Sequence, residues 1–278
     1  MNNSKNEPYN QDFIILGKDF VDNTLVDSID INIIPKHIVL IYNELNLVPN
    51  KVFNNWKKMA PEHKIIFFSF KDAAHFLEKC YNKDYKKYFN ETGYAPYKSD
   101  FFRICFLYKY GGIYSDIDNI PLCDTNKFYE PYTNIKFITS LSLNNNSCAQ
   151  AIIISTRENP VLKHSLDEYI TTYNSEYDIH NDYSLSGPKI LYKSIVKLLS
   201  ENNSIRNGII RPHTRYSITE TINNKSWRNN ILLLDEYTPD GRWQNAYMRS
   251  GYNTLVKCRY DDYPWFGHNR GSDYETDF

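Results

Sequence analysis

The chain has 278 residues, 41% of them hydrophobic and 23% charged, with a formal net charge of -1. That length can bury a substantial core in one large domain or two small ones, and the charge balance excludes the broad basic surface that nucleic-acid binding normally needs. Five cysteines, an odd number with no C-x-x-C pair, argue against a zinc site and for a reducing compartment.

The opening stretch, MNNSKNEPYNQDFIILGKDF, lacks a basic region followed by an apolar core, so no secretory signal is expected. No segment approaches the roughly 20 apolar residues of a transmembrane helix. A soluble, cytoplasmic protein without a membrane anchor is therefore expected, in the host cytoplasm if the source is viral. Residues 1 to about 30 read as an arm or flanking element, apolar only at Phe13–Leu16. From Ile34 the character changes. HIVLIY, His37–Tyr42, is a continuous β-branched run, as in a strand buried on both faces of a parallel sheet. VFNNWKKMA follows with helical spacing, and Trp56 belongs to its core face. KIIFFSF, Lys64–Phe70, is a second buried strand, and Asp72–Tyr81 is a helix. This β-α-β-α order is that of an open α/β sheet.

Ser99 reads as the cap of an apolar helix, Asp100–Tyr110, ended by Gly111. A strand, Ile113–Asp118, follows and stops before Pro121. Further strands are expected at Ala149–Ser155, in NGIIRP and in ILLLD; PVLKHSLDEYI and GPKILYKSIVKLL are helical, each with proline near its start. No repeat and no linker divides the remainder, so residues 31–278 read as one domain.

Two residues apart on a strand, Asp116 and Asp118 point to one face, roughly 6.5 to 7 Å apart. Unpaired carboxylates there would repel one another and lose solvation. A divalent cation resolves this with hard oxygen ligands; a solvated turn is the alternative. An EF-hand starting at Asp116 fails, because Pro121 and Lys127 occupy the positions for its glycine and glutamate. A dehalogenase-type phosphatase fits poorly, with Ile120 after the pair and only Asp261-Asp262 as a later acidic motif. Asp100 and Arg103 are three apart and share a helix face, either to hold sugar hydroxyls or as a local ion pair. Tyr114 is expected to point away from the acidic pair. Tyr42 ends the first strand, where open α/β sheets bind ligands; it either stacks on a base or belongs to the core.

KSDFFRICFLYKYGGIYSDIDNIPL resembles the DxD sugar-binding region of glycosyltransferase family 32, which includes the yeast-type initiating mannosyltransferases. It is also similar to the glucosyltransferase domain of the large clostridial toxins. The shared pattern is S-D-x-x-R, a helical spacer, then Y-G-G-I-Y-x-D-x-D. IPKHIVLIY resembles the family's first strand, with Tyr42 where tryptophan is usual. LSGPKIL resembles its T-G-P segment, and GHNRGSD its closing H-x-x-x-S-W, with Asp273 in place of tryptophan.

The resemblance implies an α/β GT-A fold, with a Rossmann-like mixed sheet flanked by helices. It implies transfer of a hexose-type sugar from a nucleotide-sugar donor, with Mn²⁺ or Mg²⁺ and retention at the anomeric carbon. Similarity to the toxins favours a UDP-sugar; the mannosyltransferases offer GDP-mannose. Asp100, Arg103, Asp116 and Asp118 form the implied catalytic set. Asp118 is the main metal ligand, and Asp116 contacts ribose, the metal or both. Asp100 and Arg103 hold the donor sugar; Ile41, Tyr42 and Tyr114 lie near the donor, and Gly111 and Gly112 let the chain approach it closely. His268 is expected as a third metal ligand or diphosphate contact, with Ser272 on the β-phosphate, in a C-terminal segment that closes over the donor. No nucleophile is named: double displacement and front-face attack both fit. The acceptor is a glycan, a protein or a small molecule. The rival is a GT-A-fold carbohydrate-binding or scaffolding protein without turnover.

Overall fold

The computed structural model describes residues 13–24, 26–128, 134–142, 146–174, 186–205, 207–222, 225–238, 247–250 and 253–257. The run His37–Tyr42 forms β2 and is buried at every position. Its side chains alternate between two cores: Ile38, Leu40 and Tyr42 face one, Val39 and Ile41 the other. That alternation needs covering layers on both sides of the sheet.

Three strands, one before β2 and two after it, run in the same direction. Ile14–Leu16 forms β1, which pairs in parallel with β3, Lys64–Ser69. β3 pairs in parallel with β2, and so does β4, Gly112–Ser115. The apolar patch near the N-terminus is thus the outer strand of the sheet, and it runs straight into α1, Gly17–Asn23.

Asn50–Met59 forms α2 and buries Val52, Phe53 and Trp56 on one face. α3 spans Phe70–Cys80 and begins before Asp72, because Ser69 is its cap: the Ser69 hydroxyl accepts the Asp72 N–H at 3.1 Å. α4, Lys83–Glu91, is capped in the same way by Asn82. α5 spans Ala95–Tyr110, one turn longer than the helix expected from a Ser99 cap. Pro96 fits its first turn, where a backbone N–H is not required. Gly111 ends it with φ of 70°.

The rest of the sheet mixes directions. β5 is Ile120–Pro121, β6 Ile135–Ser142 and β7 Ser147–Ser155. Helices α6, Pro160–Asn174, and α7, Gly187–Glu201, follow. Then come β8, Thr214–Ile222, β9, Lys225–Tyr237, β10, Tyr247–Ser250, and β11, Asn253–Lys257. NGIIRP is not a strand: Asn207 and Gly208 take φ of 57° and 65°, a turn ahead of β8. β7 is antiparallel to β4 and β6, whereas β9 is parallel to β6. The order is β1-β3-β2-β4-β7-β6-β9-β10-β11-β5, with β8 paired to β9. β2, β4, β6 and β9 therefore all end on one side of the molecule.

Helices α3 and α5–α7 contribute to the core on one face, α2 to that on the other. This mixed sheet flanked by helices is the α/β arrangement expected from the motif. Among the described residues, no helix is long and apolar enough to cross a membrane.

Candidate active site

β4 ends at Ser115, so Asp116 and Asp118 do not lie on a strand, and strand alternation does not set their direction. A turn does. Ile117 is buried in the α2-side core, and the carboxylates on either side of it are half-buried. The Asp116 N–H donates to the Ala151 carbonyl at 2.8 Å, and the Asn119 N–H to the Asp116 carbonyl at 3.2 Å. Asn119 is fully buried; its amide donates to Ser115 Oγ at 2.9 Å and to the Ala151 carbonyl at 2.6 Å. Sequence reasoning passed over Asn119. Its signal was a turn-forming amide directly behind the acidic pair.

Arg103 is the hub behind this turn. It is 4% exposed. Its Nη2 reaches Asp100 Oδ1 at 2.9 Å and Asp116 Oδ1 at 3.1 Å. Its Nη1 donates to the Gln150 carbonyl at 2.6 Å, and its Nε to the Ser99 carbonyl at 3.1 Å. The guanidinium lies 4.4 Å from the Tyr114 ring centre, a cation–π contact strengthened by burial. The Tyr114 hydroxyl donates to Asp116 Oδ1 at 2.9 Å. Tyr114 therefore points toward Asp116, not away from the pair.

The charges follow from this packing. Burial pushes the Asp100 carboxyl up to about 6; Arg103 pulls it down, and Asp116 adds repulsion. Burial works against the Arg103 charge, but Asp116, Tyr114 and Asp100 outweigh it and the guanidinium stays protonated. Burial raises the Tyr114 phenol well above its ordinary value, so it acts as a neutral donor.

The other expected residues divide. Tyr42 is 9% exposed and packs in the core with Trp56, and Ile41 faces the opposite core. Neither side chain presents a surface for stacking. Gly111 and Gly112 stand at the start of β4, the far end from the carboxylates. A Cβ on Gly111 would lie 2.7 Å from the Arg157 nitrogen, and one on Gly112 would strike the His37 ring. Close backbone packing, not close approach to a ligand, accounts for these glycines. Ser272, His268 and the segment Gly267–Asp273 lie outside the described residues, as does Leu185. Asp116 and Asp118 offer oxygen ligands of the kind Mg²⁺ and Mn²⁺ take, and among the described residues no group of three His, Cys, Asp or Glu forms.

Residues 48–134 match a family model described as the glycosyltransferase sugar-binding region containing the DXD motif. The match takes in Asp100, Arg103, Asp116 and Asp118. No curated protein matches the sequence. Solved structures similar to this chain include the PaToxG glycosyltransferase, at 17% identity over 62% of this chain and 72% of that one, with a TM-score of 0.43. The catalytic domain of alpha-toxin from Clostridium novyi is 13% identical over 62% and 64%, with a TM-score of 0.36. The UDP-bound glycosyltransferase domain of the YGT toxin is 13% identical over 57% and 37%, with a TM-score of 0.23. This chain spans less than two thirds of the last two. The family resemblance carried by the DxD segment is supported by the family match, and the chain is a glycosyltransferase enzyme.

Proposed function

We propose that this glycosyltransferase moves a hexose from a nucleotide sugar, with a UDP-sugar preferred over GDP-mannose, to an acceptor hydroxyl, with retention and with a divalent cation. The observation that carries this reading is the convergence of Asp100 and Asp116 on one buried guanidinium, beside a turn that presents Asp116 and Asp118 toward solvent. Asp116 Oδ1 is committed to Arg103 and Tyr114, which leaves the second oxygen to face ribose or the cation. Asp116 and Asp118 would hold Mn²⁺ or Mg²⁺, which when bound supplies Lewis-acid stabilisation of the charge on the leaving diphosphate.

Asp100 accepts hydrogen bonds from sugar hydroxyls. Arg103 acts from behind, fixing both aspartates, since its contacts run to the protein. The Lys257 register opposite Ile120 brings the end of β11 beside the acidic turn. Residues 258–278 continue from there, so His268 and Ser272 are within chain reach of the cation and the β-phosphate. In this reading residues 31–278 are the catalytic domain and 1–30 its flanking element. Four free cysteines among the described residues, Cys80, Cys105, Cys123 and Cys148, support a reducing, cytoplasmic setting. The burial of Tyr42 supports the second reading, binding without turnover, because it leaves the base without the stacking ring the family uses.

A thermal-shift panel of UDP-glucose, UDP-galactose and GDP-mannose, with and without Mn²⁺, tests donor choice. A donor at about 100 times its Kd stabilises the native state by about 2.7 kcal/mol. A UDP-sugar is expected to raise Tm with Mn²⁺ and not without it. No shift with any donor would remove the reading.

A further inference from the structure

Asp100 and Arg103 are members of a closed ring. Arg103 Nη2 donates to Asp100 at 2.9 Å, and Arg103 Nη1 donates to the Gln150 carbonyl at 2.6 Å. Gln150 Nε2 donates to the Gly187 carbonyl at 2.6 Å. The backbone of Gly187 packs against the Asp100 carboxyl group and favours its charged form, which closes the ring. The ring ties α5 to β7 and to the first residue of α7. Gln150 is 3% exposed and Asp100 7%, and in such low-dielectric surroundings these links are strong and costly to break.

Position 187 has no room for a side chain. A Cβ there would lie 2.6 Å from Asp100 Cβ and Cγ and from the Tyr169 hydroxyl. The start of α7 is thus pressed directly onto the Asp100 carboxyl group. Gln150 is the brace from the other side: its main chain takes Arg103 and its side chain takes Gly187. Three more polar atoms surround the ring without a hydrogen-bond partner among the described residues, namely Gln150 Oε1, Tyr169 OH and Ser186 Oγ. A ring with spare polar atoms around it has other pairings available.

We infer that Gln150 and Gly187 are positioning residues of the donor site, which close a hydrogen-bonded ring around Asp100 and Arg103 and so fix the Asp100 carboxyl for the donor sugar. The inference rests on the donor reading above. Neither residue touches the sugar; both act through Asp100. Binding of the nucleotide alone should therefore be insensitive to them.

Calorimetric titration of the full chain with UDP-glucose and with UDP, both in Mn²⁺, tests this. Gln150→Met keeps the length of the side chain and removes the amide. It should weaken UDP-glucose by about tenfold and change UDP by less than about twofold. In an Asp100→Ala background the same substitution should change UDP-glucose binding by less than about twofold, because the residue it acts through is gone. Gln150→Leu, which also removes the amide, should reproduce the split if Gln150→Met fails to fold. Equal losses for both ligands, or a Gln150→Met effect undiminished by Asp100→Ala, would overturn the inference. A parent chain that binds neither ligand would overturn the donor reading instead. The ring is then decided by urea unfolding of the same single and double variants: non-additive losses retain it, additive losses reject it.

Discussion

Arg103 shows why residue type matters more than charge at this site. Its three nitrogens meet four acceptor groups, two of them at Nη2, and its plane lies against Tyr114. A lysine ammonium cannot make that planar set. Arg103→Lys should cut turnover of nucleotide sugar by about a hundredfold, in the range for losing an oriented charged contact, and should lower Tm as well. Unchanged kinetics and Tm would show that charge alone suffices. Two histidines set the acid limit of the fold. Burial pushes His37 and His63 each down to about 4, and His37 Nε2 is bonded to the Gly111 carbonyl at 2.8 Å. The unfolded chain takes up these protons near about 6.5, so the native state binds fewer below that pH. The stabilisation is full above about pH 6.5 and is lost as pH falls toward about 4, with a slope of about 1.4 kcal/mol per pH unit for each ring. Asp100, raised to about 6, opposes this between about 4 and 6, because its native form keeps a proton longer. Urea titrations stepped from about pH 7 to about pH 4.5 should show falling stability. His63→Gln should remove one ring's share of the slope. A profile that stays flat would contradict buried neutral imidazoles.

At the scale of elements, the parallel part of the sheet was legible because β2 and β3 are unbroken apolar runs, a pattern that only a doubly covered strand requires. The end of β4 was not. SDID continues the apparent strand pattern, but the Asn119 side chain captures the Ser115 hydroxyl and the Ala151 carbonyl and turns the chain. That capture depends on β7, a contact that no local pattern carries. The first turn of α5 was hidden for a local reason: Ser99 is a good cap in its own right, and it masks Pro96, which is at home in a first helical turn. β6, β8, β10 and β11 escaped although each pairs with a sequence neighbour, Ser142 opposite Ser147, Ile222 opposite Lys225 and Ser250 opposite Asn253, because their buried positions are interspersed with Thr, Ser, Asn and charged residues and form no continuous apolar run. Asp100, Arg103, Asp116 and Asp118 were legible through fixed spacing; Gln150 and Gly187 were not, because their role arises only from packing. Gly112 is the test of element geometry. Its φ is 97°, and the His37 ring occupies the space a Cβ would take. Gly112→Ala should cost more than about 1 kcal/mol in urea unfolding. The folded fraction should bind donor normally, since the substitution lies at the far end of β4. Loss of donor affinity with full stability would restore a ligand role to this glycine.

At the scale of the whole molecule, the path of the sheet returns to its own acidic turn. β9, β10 and β11 lead away from β6, and β11 then pairs with β5, only two residues after Asp118. Lys257 therefore lies opposite Ile120, beside the acidic turn. His268→Ala should weaken nucleotide binding with Mn²⁺ present and change little without it. Equal loss in both conditions would indicate a folding defect, and no loss in either would remove His268 from the site. The central claim is metal-dependent transfer from a nucleotide sugar by the acidic turn. Its most direct test is release of nucleoside diphosphate from UDP-sugar by the full chain in Mn²⁺, compared with excess EDTA and with Asp118→Asn. The account predicts release by the parent in Mn²⁺, and a loss of at least about a hundredfold in EDTA and in the variant, with Tm of the metal-free variant unchanged. Full release in EDTA, or by Asp118→Asn, would contradict it.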